Sequence, residues 1–353
     1  MRGVFGTPLR AMVLCAGMGT RLGPLSQERP KPLLPVCDYP LVRYALSLLA
    51  GYQIRDVVIN LHHLGEQIEA ELGDGHDLGM NIVYSREEEI LGTGGGLRRV
   101  AAHLTHNGHE PCIVINGKIV IDVDLESVMA LHRITGAVAT MVLYETPDAD
   151  AWGAIEVGRD GRVQRMLGQE APRVSRRERL TKCMFTGVHI LEPALLARLP
   201  HGRGCVIRQG YLPALREGEP ISGYIVSGYF HEHSTRERLL QGNIHVLRER
   251  AALKFPPGPL CGVSPTAQIH PGAEIIPPVR IADGAEIGRG AVVGPDVVVG
   301  RGAQVSAGVR LDSAVVFAGA KVNASLSGGI ITPRSIYPVS LDMLTPRGSH
   351  ERR

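Results

Sequence analysis

Apolar residues follow two different rhythms along this chain. Through residue 144, short apolar runs alternate with amphipathic stretches. AMVLC (11–15), DVVIN (56–60), NIVY (81–84), CIVIN (112–116) and AVATMVLY (137–144) read as strands. PLVRYALSLLAGY (40–52), LGEQIEAEL (64–72) and DLESVMALHRI (124–134) read as helices between them. Strands that are apolar almost throughout, separated by helices, predict an α/β fold whose mostly parallel sheet is covered on both faces. Ligands of such sheets sit beyond the carboxyl ends of the strands, and the first such end is AGMGTRLGPL (16–25).

From Val263 the rhythm changes to six. Val263, Ile269, Ile275, Ile281, Ile287, Val293, Val299, Val305, Leu311 and Phe317 fill every sixth position without a slip. A period of six fits neither a helix nor a simple strand. It fits a solenoid whose flat faces each take one hexad, with an aliphatic knob turned inward. Asp283-Gly284, Pro295-Asp296 and Gly300 supply the turns at its corners. The segment resembles the hexapeptide left-handed parallel β-helix, about three coils long if each coil takes three hexads. Such a module is expected to serve packing and assembly, making the protein a homo-oligomer through the β-helix. The alternative is acyl transfer, since the resembling acyltransferases use a β-helix histidine; His270 is the only histidine in the repeat, and a turn position also explains it. The expected division is an α/β domain over 8–250 and the β-helix over 260–335.

Composition removes several classes. With 38 Lys+Arg against 35 Asp+Glu, the formal charge of +3 is too balanced for a protein built to grip nucleic acid. The 44% of hydrophobic residues supports proper cores and excludes global disorder. Six scattered cysteines form no C-x-x-C pair, and a chain of 353 residues needs no disulfide framework, so the expected home is the cytoplasm. No apolar run approaches the ~18 residues of a membrane helix, and AMVLCAGM is too short for a signal peptide.

The chemistry gathers at the first strand end. Gly17-Met18-Gly19 begins like a dinucleotide fingerprint, but Leu22 occupies the place of the third glycine and no acidic ribose residue follows at the expected distance. No G-K-[ST] closes it as a P-loop. A glycine turn remains, exposing backbone N–H groups, followed by Thr20 and Arg21, with Lys31 between Pro30 and Pro32. Backbone donors with two cations suit a triphosphate. The plain alternative is a strand–helix turn carrying solvated cations.

LCAGMGTRLGPLSQERPKPLLPV (14–36) resembles the signature of the sugar-1-phosphate nucleotidyltransferases, and the similarity continues through EEEILGTGGGLRRV (87–100), VINGKIVIDVDL (114–125) and GYFHEHSTRERLLQGN (228–243). With the β-helix behind it, the layout is similar to mannose-1-phosphate guanylyltransferases and related NDP-sugar pyrophosphorylases. The resemblance implies a Rossmann-like mixed sheet and substrates that are an NTP and a sugar 1-phosphate. It implies that Gly17, Gly19 and Thr20 wrap the phosphates, with Ala16 also in the nucleotide site, and that Arg21 and Lys31 hold the pyrophosphate and the α-phosphate. Gly92 and Thr93, with Glu87, would line the base; Gly153, Thr186 and Gly187 would line the sugar.

Two departures bear on the Mg²⁺ that the family uses. The family's metal-binding aspartate after N-G is Lys118 here, and its second metal aspartate falls on Glu232. An ammonium has donors only and repels a cation. Lys118 therefore replaces part of the metal's charge, or Asp122 or Asp124 takes over the metal, or the domain binds nucleotide without turning it over. The family's E-K-P falls near Gly168-Gln169-Glu170 and is missing, as it is in muramate-phosphate uridylyltransferases, which share the T-G-G-G loop. UTP with an amino-sugar phosphate such as N-acetylmuramate 1-phosphate is accordingly the second substrate pair. Arg173, Arg176, Arg177 and Arg179 form a basic run beside the expected sugar pocket, best read as a solvated loop. The RGSHERR tail (347–353) is expected to be disordered.

Overall fold

The computed structural model describes residues 9–172 and 179–341, so most of the basic run and the RGSHERR tail lie outside the described residues. Its first half threads β1 (Arg10–Leu14), α1 (Leu41–Gly51), β2 (Asp56–Leu61), α2 (Gly65–Leu72), β3 (Asn81–Arg86), α3 (Gly92–Leu104), β4 (Cys112–Asn116), β5 (Ile119–Ile121), α4 (Leu125–Thr135) and β6 (Ala139–Glu145). There follow β7 (Ile155–Val157), β8 (Val163–Met166), β9 (Thr181–Leu191), β10 (Ile221–Ile225), β11 (Phe230–Glu232) and α5 (Arg236–Leu247).

One ten-stranded sheet holds most of these strands. β1 lies at its middle, parallel to β2 on one side and β4 on the other, with β3 parallel to β2 at the edge. β9 runs antiparallel to β4 and also pairs with β6 and β7, so the sheet is mixed. Alternation along β1 explains why it is apolar throughout: Ala11 and Val13 enter one core and Met12 the other. Each face has helices on it, as the rhythm predicts. The expected helices form within a residue or two of their predicted ends; α4 begins at Asp124, whose carboxylate accepts from the Glu126 amide at 3.1 Å, and stops at Gly136 with φ 56°.

The second half is a parallel coil. Ile269 stacks on Ile287 and Ile287 on Val305, 18 residues apart each time, so three hexads make one turn. The inner column is Ile281, Ile287, Val293, Val299, Val305 and Leu311, with small Ala285, Ala291 and Ala303 beside it. The hexad register then slips. Val299 pairs with Val316, not with Phe317, because the coil that closes through Ser313 (φ 46°) is one residue short. Val316 therefore fills the interior, and Phe317 joins a different core.

That core welds the two halves. Phe317, Val298, Val315 and Ile330 pack with Leu34, Tyr44, Leu239 and Val246 of the α/β part. Two polar ties reinforce it. Arg248 makes a two-pronged contact with the buried Asp296 carboxylate at 2.8 and 2.6 Å, and the Arg301 amide donates to Asp38 Oδ1 at 3.0 Å. The segment joining the halves is also anchored, since Phe255 meets the Tyr52 ring edge-on at 5.2 Å.

Candidate functional site

The carboxyl ends of β1, β2 and β4 meet at a cleft of about 280 Å³. Two asparagines stand at the strand ends there, Asn60 next to last on β2 and Asn116 last on β4. Asn60 is a clamp: its Oδ1 accepts from the Cys15 amide at 2.8 Å and its Nδ2 donates to Glu87 Oε1 at 2.8 Å. The other Glu87 oxygen accepts from the Leu91 amide at 2.8 Å. Glu87 is buried and thereby fixes the segment that leads into α3. Ala16, Gly17, Glu87, Gly92, Thr93 and Lys118 all line the cleft.

After β1 the chain turns at Gly19 (φ 69°) into a single 3-10 turn, Thr20–Leu22. A side chain at 19 would be strained by that φ and tight against Ser26 at 3.3 Å, whereas one at Gly17 meets nothing within 4 Å. Among the described residues no backbone carbonyl accepts from the amides of 17 to 20, and Gly17 lines the cleft. Such a run of free amides is an anion cradle.

The cations stand at one side of that turn. β5 and β11 form a two-stranded ribbon in which Ile119 lies opposite Glu232, and this pairing brings Lys118 and Glu232 together. Lys118 Nζ is 2.7 Å from Glu232 Oε1 and 3.5 Å from Ser234 Oγ. Arg21 donates to the same Ser234 hydroxyl at 3.0 Å and lies 3.7 Å from Glu232. Arg238 completes the ring at 3.4 Å from Glu232 Oε2. Lys31 joins the group through its field: burial, then Lys118 and Arg21, push its ammonium down to about 8, and Glu232 opposes the shift. The buried histidines behind are neutral, burial holding His231 at about 3, so the positive charge comes from lysine and arginine alone.

The donors present do not fit a protein-held Mg²⁺. Glu232 is the carboxylate of this cluster, and three cations already surround it. Neither alternative carboxylate helps. Asp122 Oδ1 accepts from the Lys254 amide at 3.0 Å, and Asp124 caps α4 while accepting from the Ser127 hydroxyl at 2.7 Å, which holds its carboxyl below the usual range. Both lie beyond β5, roughly 13 Å (Asp122) and about 20 Å (Asp124) of extended chain from Lys118.

On the opposite wall, GTGGGLRRV opens a helix. Its glycines have a packing reason: a Cβ at Gly92 would stand 2.5 Å from the Gly204 carbonyl oxygen, and one at Gly95 2.1 Å from that of Gly202. The Gly94 amide donates to Gly204 O at 2.8 Å, and the Thr93 hydroxyl accepts from the Val206 amide at 3.0 Å. Thr186 and Gly187 form the bulge of β9. The Thr186 hydroxyl donates to Val142 O at 2.7 Å, and a side chain at Gly187 (φ 88°) would strike Asn116. Gly153 (φ 78°) ends the turn that carries Trp152, and the Arg238 guanidinium lies over the Trp152 ring at 5.0 Å. The turn is thereby linked to Glu232.

Asn60, Asn116, Ser234 and Arg238 are site residues that the sequence reading passed over. Two of them had a signal, because DVVIN and CIVIN are the same pattern, an apolar run that ends on a polar amide. His270 makes a local bond, its Nδ1 accepting from the Gly272 amide at 2.9 Å.

Comparison with known proteins agrees with this geometry. A family model described as nucleotidyl transferase matches residues 10–203, and one described as the GMPPB C-terminal domain matches residues 275–336. A mannose-1-phosphate guanylyltransferase of Mycobacterium tuberculosis is 33% identical, over 67% of this chain and 64% of its own length. A UTP–glucose-1-phosphate uridylyltransferase of Synechocystis is 32% identical, over 55% of this chain and 52% of its own. The match thus spans less than two thirds of either relative. Among solved structures, HddC of Yersinia pseudotuberculosis, complexed with GMP-PN, shares the fold at a TM-score of 0.54 and 18% identity, covering 67% of this chain and 98% of that one. With the glycine turn, the cleft and more than half its length inside the matched model, this chain belongs to the nucleotidyl transferase family.

Proposed function

We propose that the protein transfers a nucleotidyl group from an NTP to a sugar 1-phosphate, with GTP and mannose 1-phosphate as the pair. The observation that carries this reading is the run of free amides at 17 to 20 standing beside Arg21, Lys31 and Lys118. An oxygen of the sugar phosphate attacks the α-phosphorus. The bond from that phosphorus to the bridging oxygen breaks, and its electron pair leaves on pyrophosphate. No proton has to move. The protein's work is to align the two phosphates and neutralise their oxygens. Arg21 and Lys31 would hold the triphosphate, Gly92 and Thr93 the base, and the Gly153 and Gly187 side the sugar. The names of the Mycobacterium relative and of the second matching model favour GTP and mannose 1-phosphate; the Synechocystis relative's name keeps UTP as the alternative nucleotide, with a sugar or amino-sugar phosphate. We place the activity in the cytoplasm and in a homo-oligomer held by the β-helix.

A second reading has its own observation. The Lys118–Glu232 ion pair supports a nucleotide or NDP-sugar binder that turns over slowly or not at all. Pyrophosphate release, screened over four NTPs and a panel of sugar 1-phosphates, separates the two. Release with one pair supports the transferase. Saturable NDP-sugar binding without release supports the binder.

A further inference from the structure

Resting on the nucleotide reading above, we infer that Lys118 is a resident cation: its ammonium replaces a divalent ion against Glu232, and the cleft takes up a nucleoside triphosphate without metal. The strand ribbon fixes the position. β5 and β11 are hydrogen-bonded neighbours, and the His233 amide donates to the Lys118 carbonyl at 3.2 Å, so the ribbon holds the backbone of Lys118 beside that of the Glu232–His233 step. Glu232 is almost wholly buried, its side chain 5% exposed, and its nearest cation is Lys118 at 2.7 Å. A buried carboxylate requires a positive partner, and the ammonium already provides it.

Lys118 also lines the cleft, together with Gly17 and Thr93. Its side chain keeps 30% of its exposure, enough for a second anionic partner on the free side of the nitrogen. An ammonium has three donors; Glu232 takes one and Ser234 a second at 3.5 Å, which leaves the third for a phosphate oxygen. Four cations, Arg21, Lys31, Lys118 and Arg238, share one carboxylate here, and the surplus is positive. A chain of phosphates supplies the missing negative charge directly. A divalent ion arriving with those phosphates meets like charge from Lys118 and Arg21, and finds Glu232 Oε1 held by Lys118 and Oε2 buried 3.4 Å from Arg238.

The test titrates GTP and UTP calorimetrically into the full chain, in EDTA and again in excess Mg²⁺. The inference predicts that the better ligand binds at least as tightly in EDTA. Lys118→Met keeps the apolar stem and loses the charge; it should weaken binding roughly tenfold or more in EDTA, with no recovery in Mg²⁺. Lys118→Asp should weaken it similarly in EDTA and regain affinity when Mg²⁺ is added. Mn²⁺ paramagnetic resonance on the nucleotide complexes gives a separate readout, with protein-held Mn²⁺ in Lys118→Asp and none in the unaltered chain. Binding by the unaltered chain that tightens tenfold with Mg²⁺ would overturn the inference and leave the nucleotide reading standing. So would full affinity of Lys118→Met in EDTA. Failure of the unaltered chain to bind any nucleotide in either buffer would instead remove the nucleotide reading, and this inference with it.

Discussion

Arg238 lies over the ring of Trp152 at 5.0 Å while its Nε donates to the Glu232 carbonyl at 2.7 Å. The turn ending at Gly153 is thus coupled to the cation cluster by one side chain. Trp152 is the only tryptophan in the chain and is partly exposed, so its emission reports on this corner alone. Titration with GDP-mannose or its UDP-sugar counterpart should shift that emission saturably, and Arg238→Met should abolish most of the shift by removing the stacked cation. A saturable shift of full size in Arg238→Met would show that the coupling is absent.

Lys31 sets a pH limit. Its ammonium is held down at about 8, so it is charged below that pH and neutral above it. A phosphate chain binds the charged form, so affinity should be level up to about pH 8 and then fall, by up to roughly tenfold per pH unit. Lys31→Arg keeps its charge and should flatten the decline. Affinities measured from pH 7 to 9.5 decide it; an equal decline in both proteins would assign the titration to another group.

The glycines of α3 should divide sharply from those of the phosphate turn. Gly95→Ala drives a methyl to 2.1 Å from a backbone oxygen, which cannot swing aside, and should cost about 1–3 kcal/mol. Gly17→Ala meets open space at an ordinary φ and should stay within about 0.5 kcal/mol of the parent. Thermal or urea unfolding distinguishes them. Equal losses would mean that the packing of α3 on 202–205 is looser than described.

Reading these features from sequence succeeded where one rhythm governs one element. β1, β2 and β4 are uniform apolar runs because both faces of the sheet are covered, and the hexads announce the coil because each face repeats the same demand. It faltered where a contact is remote. GTGGGLRRV looks like a loop because glycine disfavours helices, and only the 202–205 backbone pressed against it explains the composition. Phe317 keeps the hexad spacing yet leaves the coil's interior, since the slip at Ser313 depends on the neighbouring Pro295 and Asp296. The glycine turn and its cations were legible as a motif. That Lys118 would face Glu232, 114 residues away, follows from a strand pairing that no local pattern encodes.

The join between the halves makes its own prediction. Arg248 and the buried Asp296 form one two-pronged contact, so Arg248→Met and Asp296→Asn should each cost about 1–2 kcal/mol, and the double variant no more than the larger single loss. A double-variant cycle by urea unfolding measures this. Simple addition of the two losses would mean that the residues act independently.

The most direct measurement is calorimetric titration of GTP, UTP and their sugar conjugates into the full chain and into Arg21→Ala and Lys31→Met. If the free amides with these two cations seat a phosphate chain, at least one nucleotide binds the parent saturably and each variant weakens it roughly tenfold or more. Undiminished affinity in both variants, or silence of the parent toward every nucleotide, would contradict the account.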